Sequence, residues 1–348
     1  MANYKKDSVT INDVAAAAGV SKTTISRYLN GKYEFMAPET KHRIEVVIDQ
    51  LNYHPSNIAR SLKSQTTRVI GCIIADITSH FSSILVKGIS DVCLRNGYQV
   101  LFLNVDNSAQ KELDGIQSLL NSQVDGLIIN TTGYNDDYIT ELFQKGFPVA
   151  LADRCLADRF AVDTVTTENY HSTYDCIKHL HHQGFQRVAF FTEYEGRISS
   201  RVIRHNGFLA AMEQIYAMDG TDYTYPVDAS DLNVCIKSLN TFVDSYPDES
   251  LAIFTVNGVT LLNVLNGMNK AGYEISPKLG ICGFDDWGWA SVVKPGITTI
   301  TQDSYRVGVL CAEMVFKRLK SRKQLKPKFV ELPNEIIIRG STKPSTQK

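Results

Sequence analysis

The sequence predicts an α/β protein in three parts: a small all-α front domain followed by two doubly wound α/β lobes. Three observations predict it. Residues 10–52 carry their apolar positions at helical spacing throughout. From Arg68 onward, short apolar runs alternate with amphipathic stretches, the pattern of parallel strands joined by helices. Those runs fall into two groups, "RVIGCII" opening one and "RVAFFTE" the other, and 348 residues are enough to bury more than one core.

In the front domain Ile11, Val14, Ala15 and Ala18 make the first apolar stripe, with Thr10 as its cap and Asp13 three residues on. Gly19 closes that helix, Ser21 caps the next, and Asn30-Gly31 ends it. A third helix starts near Pro38-Glu39-Thr40, with Ile44, Val47, Ile48 and Leu51 on one face, and Pro55 stops it. Residues 55–67 are polar and basic, too short to own a core. "RVIGCIIA", "YQVLFLNV", "VDGLIIN" and "FPVALAD" then read as buried strands, separated by helices beginning near Phe81, Ala109 and Asp136. "RVAFFTE", "LAIFTVN" and "KLGICGFDD" repeat the pattern, with helices over about 200–217, 230–243 and 257–271. "ITTITQD" and "FVELPNEIIIRGST" return to extended structure. The expected domains are therefore 8–54, a linker over 55–67, a body over 68–342 and a polar tail over 343–348. Within the body, one lobe takes about 68–164 and 297–328, the other about 165–296 and 329–342.

Charge separates the parts. Through Arg68 there are 10 Lys and Arg against 6 Asp and Glu, so an overall charge of −1 leaves the remainder at −5. A basic front on an acidic body points to an anionic partner for the front alone. The opening MANYKKDSVT lacks the apolar run of a signal peptide, and no long uncharged stretch is fit to span a membrane. The seven cysteines are never closely spaced and lie mostly in apolar runs, which reads as buried thiols in a reducing cytoplasm. No metal site is expected: in "HLHHQG", His181 and His182 point to different sides of a helix. No nucleophile–base arrangement stands out, so an enzyme is not expected, nor is a cofactor.

The stretch "GVSKTTISRYLNG" carries the function. Two helices joined by a tight glycine turn form the helix-turn-helix, whose second helix enters the major groove of DNA. Lys22, Thr23, Thr24, Ser26 and Arg27 crowd one side of that helix, while Val20, Ile25 and Leu29 are left to pack. Arg27 has the reach and fork for a bidentate contact to guanine. A solvated polar face is the alternative, disfavoured by the basic front and the sensor-like body behind it.

These residues resemble the LacI/GalR family of bacterial transcription regulators. "TINDVAAAAGVSKTTISRYLNG" matches the family's amino-terminal signature, and the likeness runs through "LNYHPSNIARSLKS" to "ELPNEIIIRGST", nearly the whole chain. "SRYLNGKYEFMAPET" and "VDGLIINTTGYNDD" are similar to the branch that regulates use of 2-keto-3-deoxygluconate and pectin-derived sugar acids. The resemblance implies a cytoplasmic homodimer on a pseudo-palindromic operator, contacted by Thr10, Ser21, Lys22, Thr23, Thr24, Ser26, Arg27 and Asn30. It also implies a hinge helix in the linker whose Leu62 levers open the minor groove, beside Ala59 and Lys63. An apolar wedge between basic residues suits that task, packing against the body being the bland alternative.

For the body, the resemblance implies a periplasmic-binding-protein-like fold with a small sugar or sugar-acid effector between the lobes. The matching positions are His80, Phe81, Asn130 and Asp153, then Ser200, Arg204, Asn257, Asp285 and Gln302. All but Ser200 and Arg204 lie at or just beyond strand carboxyl ends, where open α/β sheets bind ligands. Arg204 is expected to satisfy the acids of the empty cleft and to clamp a ligand carboxylate. Asn257 or Asp285 could instead be a plain helix cap. Two departures stand out: Asn257-Gly258 where the family has Asn-Asp, and Ala37-Pro38 where many members carry a Ser cap. A repressor released by its effector is the expected function. The runner-up is a catabolite regulator controlled by a phosphorylated partner protein, or a sugar-binding receptor.

Overall fold

The computed structural model describes residues 9–53, 66–193 and 196–343. The chain divides into two units between Thr67 and Arg68.

The first unit is a bundle of three helices, α1 (Ile11–Ala17), α2 (Lys22–Leu29) and α3 (Pro38–Gln50). Val14, Ile25 and Ile44, one from each helix, are fully buried at its centre. Thr10 and Asp13 close a capping box on α1, and Ser21 accepts the Thr24 amide on α2. Ala37 gives α3 no side-chain cap, the departure expected from its sequence.

The second unit holds two six-stranded sheets. In chain order the first lobe contributes β1 (Val69–Ile74), α4 (His80–Arg95), β2 (Gln99–Asn104), α5 (Ala109–Asn121), β3 (Gly126–Ile129), α6 (Asp136–Gln144), β4 (Val149–Ala152) and β5 (Asp163–Thr167). The second contributes α7 (Tyr170–His182), β6 (Arg187–Thr192), α8 (Ser199–Ala211), β7 (Thr224–Pro226), α9 (Leu232–Ser245), β8 (Leu251–Thr255), α10 (Gly258–Ala271), β9 (Leu279–Phe284) and β10 (Thr298–Thr301). The chain returns to the first lobe for α11 (Ser304–Lys320) and β11 (Phe329–Leu332), and ends in the second with β12 (Glu335–Ile337).

Strand order is β11-β5-β4-β3-β1-β2 in one sheet and β12-β10-β9-β8-β6-β7 in the other, parallel except where β12 runs against β10. In each sheet the winding direction reverses between the first strand and its inner neighbour: β1 beside β3, β6 beside β8. A doubly wound sheet opens a crevice at the carboxyl ends of those strands.

Each lobe has its own core. In the first, Leu85, Ile89, Val307 and Cys311 of α4 and α11 cover one sheet face, and Ile116, Leu119, Ile139 and Phe143 of α5 and α6 cover the other. The second is built around fully buried Phe190, Phe191, Phe208, Phe242, Phe254 and Phe284. All seven cysteines are free and buried. No helix among the described residues is long and apolar enough to cross a membrane.

The expected lobe boundaries need correction. β10 pairs with β9 and β12, so residues 298–301 belong to the second lobe, not the first. β11 pairs in register with β5, Phe329 opposite Thr164, so 329–332 belong to the first. The extended run "FVELPNEIII" is therefore two strands in different sheets, because Pro333-Asn334 breaks it at a crossover. The other two crossovers lie between Thr167 and Tyr170 and between Thr301 and Ser304.

Candidate functional site

On α2 the packing residues are those expected: Ile25 is fully buried, with Val20 and Leu29 packed against the same cluster. The helical repeat then turns Thr23 and Arg27 to the far side. Lys22, Thr23 and Arg27 are exposed, and their side chains have no bonding partner among the described residues. The remaining polar residues are locally engaged. Thr10 bonds Asp13 at 2.7 Å, Ser21 shares a 2.9 Å hydroxyl contact with Thr24, and Asn30 donates to the Ser26 carbonyl at 2.7 Å. Ser26 is half-buried. Ala59, Leu62 and Lys63 lie outside the described residues.

In the body, the carboxyl ends of both sheets face a polar cleft. Phe81, Asn130, Asp153, Ser200, Arg204, Asn257, Asp285 and Gln302 all line it. His80 does not. It is exposed at the start of α4, its ring edge-on to Trp287 of the opposite lobe with centroids 6.0 Å apart.

Asp153 and Asp285 are built alike. Each follows a central strand, bonds its amide to the neighbouring strand, and turns into the left-handed region, φ +68° and +74°. Such φ values are uncommon outside glycine and tolerated best by Asp and Asn. Asp285 accepts the Gly258 amide at 3.0 Å and the Gln302 side-chain amide at 2.6 Å. Asn257 does both jobs considered for it, lining the cleft while its Oδ1 caps α10 through the Thr260 amide at 2.8 Å.

Arg204 corrects an expectation. Rather than pairing directly with the acids, it donates to Asn169 Oδ1 at 2.7 Å, the Val256 carbonyl at 2.8 Å and Gln302 Oε1 at 3.0 Å. Its guanidinium also lies 3.6 Å from the Phe284 ring centroid, over the ring. Of the five N–H groups of a guanidinium this leaves two for other partners.

The cleft also holds charges that sequence reasoning missed. Arg154 bonds Asn107 at 2.9 Å and the Thr131 carbonyl at 3.1 Å; Arg201 pairs with Glu193; Asp76 also lines the cleft. Their signals were present. Asp76, Arg154 and Glu193 follow strand ends, and Arg201 precedes Arg204 by three residues on one helix. Arg154 Nε and Asp153 Oδ2 form an ion pair at 3.9 Å, while Asp153 Oδ1 and Arg154 Nε are buried without a hydrogen-bond partner among the described residues.

Burial raises the Asp153 carboxyl above its ordinary 3.8, opposed by the charges of Arg204 and Arg154. Burial also lowers Arg154 to about 10 and lowers Arg204. Among the described residues no cluster of His, Cys, Asp and Glu is placed to hold a metal ion.

The family profile "Periplasmic binding proteins and sugar binding domain of LacI family" matches residues 67–343, and "Bacterial regulatory proteins, lacI family" matches residues 10–56. The chain belongs to the LacI family. It is a DNA-binding transcription regulator with a two-lobed, periplasmic-binding-protein-like body. The HTH-type transcriptional regulator KdgR of Bacillus subtilis is 37% identical over 332 residues, covering 95% of this chain and 97% of its own. That relative fits the branch to which the sequence was likened. The regulator PtxS of Pseudomonas aeruginosa is 33% identical, covering 97% of this chain and 96% of its own. Among LacI-family structures, the lac repressor dimer bound to operator and an anti-inducer superposes with TM-score 0.81 at 21% identity, covering 97% and 99% of the two chains.

The raised Asp153 pKa predicts a trade between stability and function. Its unfavourable ionisation is absent below the unfolded value near 3.8 and sets in as pH rises through the higher folded value. At neutral pH, Asp153→Asn is therefore expected to leave the ligand-free melting temperature unchanged or raised, while effector binding is lost. Scanning calorimetry at pH 5 and pH 8 checks this; a variant clearly less stable than wild type at pH 8 contradicts it.

Proposed function

We propose that this regulator represses sugar-acid catabolic genes and leaves its operator when a hydroxylated or keto carboxylic acid, such as 2-keto-3-deoxygluconate, fills the cleft. It works as a cytoplasmic homodimer without enzymatic activity. One observation carries the ligand class: in a cleft lined by three arginines, Asp153 Oδ1 and Arg154 Nε have no hydrogen-bond partner among the described residues, the two side chains meeting only as an ion pair, Arg154 Nε to Asp153 Oδ2, at 3.9 Å. Buried polar groups of this kind cost free energy until a partner arrives. A polyhydroxy acid brings a hydroxyl for the first and an anionic oxygen for the second. Arg201 and the two remaining Arg204 donors stand on the same walls, and the likeness to KdgR supports the same class.

On the DNA side, Arg27 reads a guanine, Lys22 and Thr23 reach bases or phosphates, and Thr10, Ser21, Thr24, Ser26 and Asn30 hold the helix in register with the backbone. The proposed wedge, Leu62 with Ala59 and Lys63, rests on the sequence resemblance. Effector binding shifts the lobes and operator affinity falls by linkage.

Two measurements test this reading. Arg27→Ala is expected to weaken operator binding by about 1–3 kcal/mol and to relax preference at one base pair per half-site. Equal losses on operator and random DNA, measured by fluorescence anisotropy, contradict a base-reading role. Arg204→Ala is expected to abolish release by 2-keto-3-deoxygluconate while operator binding without effector survives. Calorimetry in which wild type binds a neutral sugar tightly and no uronate-derived acid overturns the ligand class and leaves the regulator assignment standing.

A further inference from the structure

Gly258 opens α10 immediately after Asn257, at the position read from the sequence as a missing acid. A Cβ there would lie 2.5 Å and 2.6 Å from two indole carbons of Trp287 and 3.0 Å from Asp285 Cβ. Those distances leave no room for any side chain. The indole occupies the notch, and the same glycine donates its amide to Asp285 Oδ2 at 3.0 Å. Trp287 is thus packed against the helix start that Asp285 bonds, two residues from Asp285 itself. A left-handed aspartate persists only where its surroundings hold it. Trp287 Nε1 is buried and has no hydrogen-bond partner among the described residues, so shape rather than a polar bond fixes the indole. From the opposite lobe, the His80 ring meets it edge-on at 6.0 Å.

We propose that Trp287 is a positioning residue of the effector cleft: seated on Gly258, it holds Asp285 toward the ligand, and its contact with His80 couples that hold to closure of the lobes. Enlarging Gly258 unseats the indole; shrinking Trp287 releases the Asp285 loop. The two changes damage one device, so their effects do not add. The proposal rests on the reading that the inter-lobe cleft takes the effector, but not on the effector's being an acid.

The test uses the full-length protein with Gly258→Ala, Trp287→Leu and the double variant. The probe is 2-keto-3-deoxygluconate or, if calorimetry shows wild type does not bind it, the tightest binder among neutral hexoses and hexuronates. Failure of the acid reading is thereby separated from failure of this one. Each single variant is expected to lose at least about tenfold in probe affinity with a cooperative melt retained, and the double no more than the worse single. Trp287 and Trp289 are the chain's two tryptophans, so Trp289→Phe leaves Trp287 as the sole reporter. Its emission is expected to change at saturating probe, and His80→Ala to remove that change while operator binding is kept. Wild-type affinity in Trp287→Leu, multiplying losses in the double variant, or emission indifferent to saturating probe would each overturn the proposal.

Discussion

A guanidinium buried between two lobes must be solvated by the protein itself, and the rest of the cleft is arranged around meeting that need for Arg204. Its three bonds reach Asn169 at the first crossover, Gln302 at the second, and the carbonyl of Val256 just past the end of β8. Gln302 also accepts from Thr167 at 2.6 Å and donates to Asp285 at 2.6 Å. The third crossover joins through Asn334, whose amide donates to the Glu168 carbonyl and to Ser172 at 3.2 Å. Hydrogen bonds therefore connect the cleft floor to the crossover segments that join the lobes. A ligand that draws on Arg204 or Asp285 changes groups the crossovers also need. That is a physical route from binding to lobe geometry, and it is short.

The cleft is built for a ligand at some cost to the empty protein. Two aspartates sit in left-handed backbone, one of them with a raised pKa, and Asp153 Oδ1 and Arg154 Nε lack a hydrogen bond among the described residues. Of these, the missing hydrogen bonds are the ones a bound molecule could supply, with a donor for Asp153 and an acceptor for Arg154. Stability and response are opposed at the same few atoms.

Much of this was legible in the sequence because the relevant signals are local. Apolar spacing and capping residues placed the three front helices; seven of the nine effector positions implied by the family resemblance sit at or just beyond strand carboxyl ends, and eight of the nine line the cleft. What was missed has physical reasons. β5, "DTVTT", has no apolar run to read; its Asp163 is buried because Arg318 bonds it at 2.6 Å and 2.8 Å from α11, 155 residues away. α11 itself went unread between two extended stretches, although it supplies much of the first lobe's core. His80 carries no local sign that its ring faces Trp287 rather than the ligand. The lobe boundaries depend on strand pairing across the crossovers, which no window of sequence contains. Arg154 and Arg201 reach the cleft through contacts made across the fold, Arg154 with Asn107 and Arg201 with Glu193, which their neighbours in sequence do not reveal.

In the proposed mechanism one free-energy coupling joins the cleft and the DNA-binding helix. Its most direct test is reciprocity. Calorimetry gives the affinity of the acid effector for the free protein and for the protein saturated with operator; anisotropy gives operator affinity with and without saturating effector. The factor by which effector weakens operator binding is expected to equal the factor by which operator weakens effector binding. An effector that binds the free and operator-bound protein with the same affinity would contradict it.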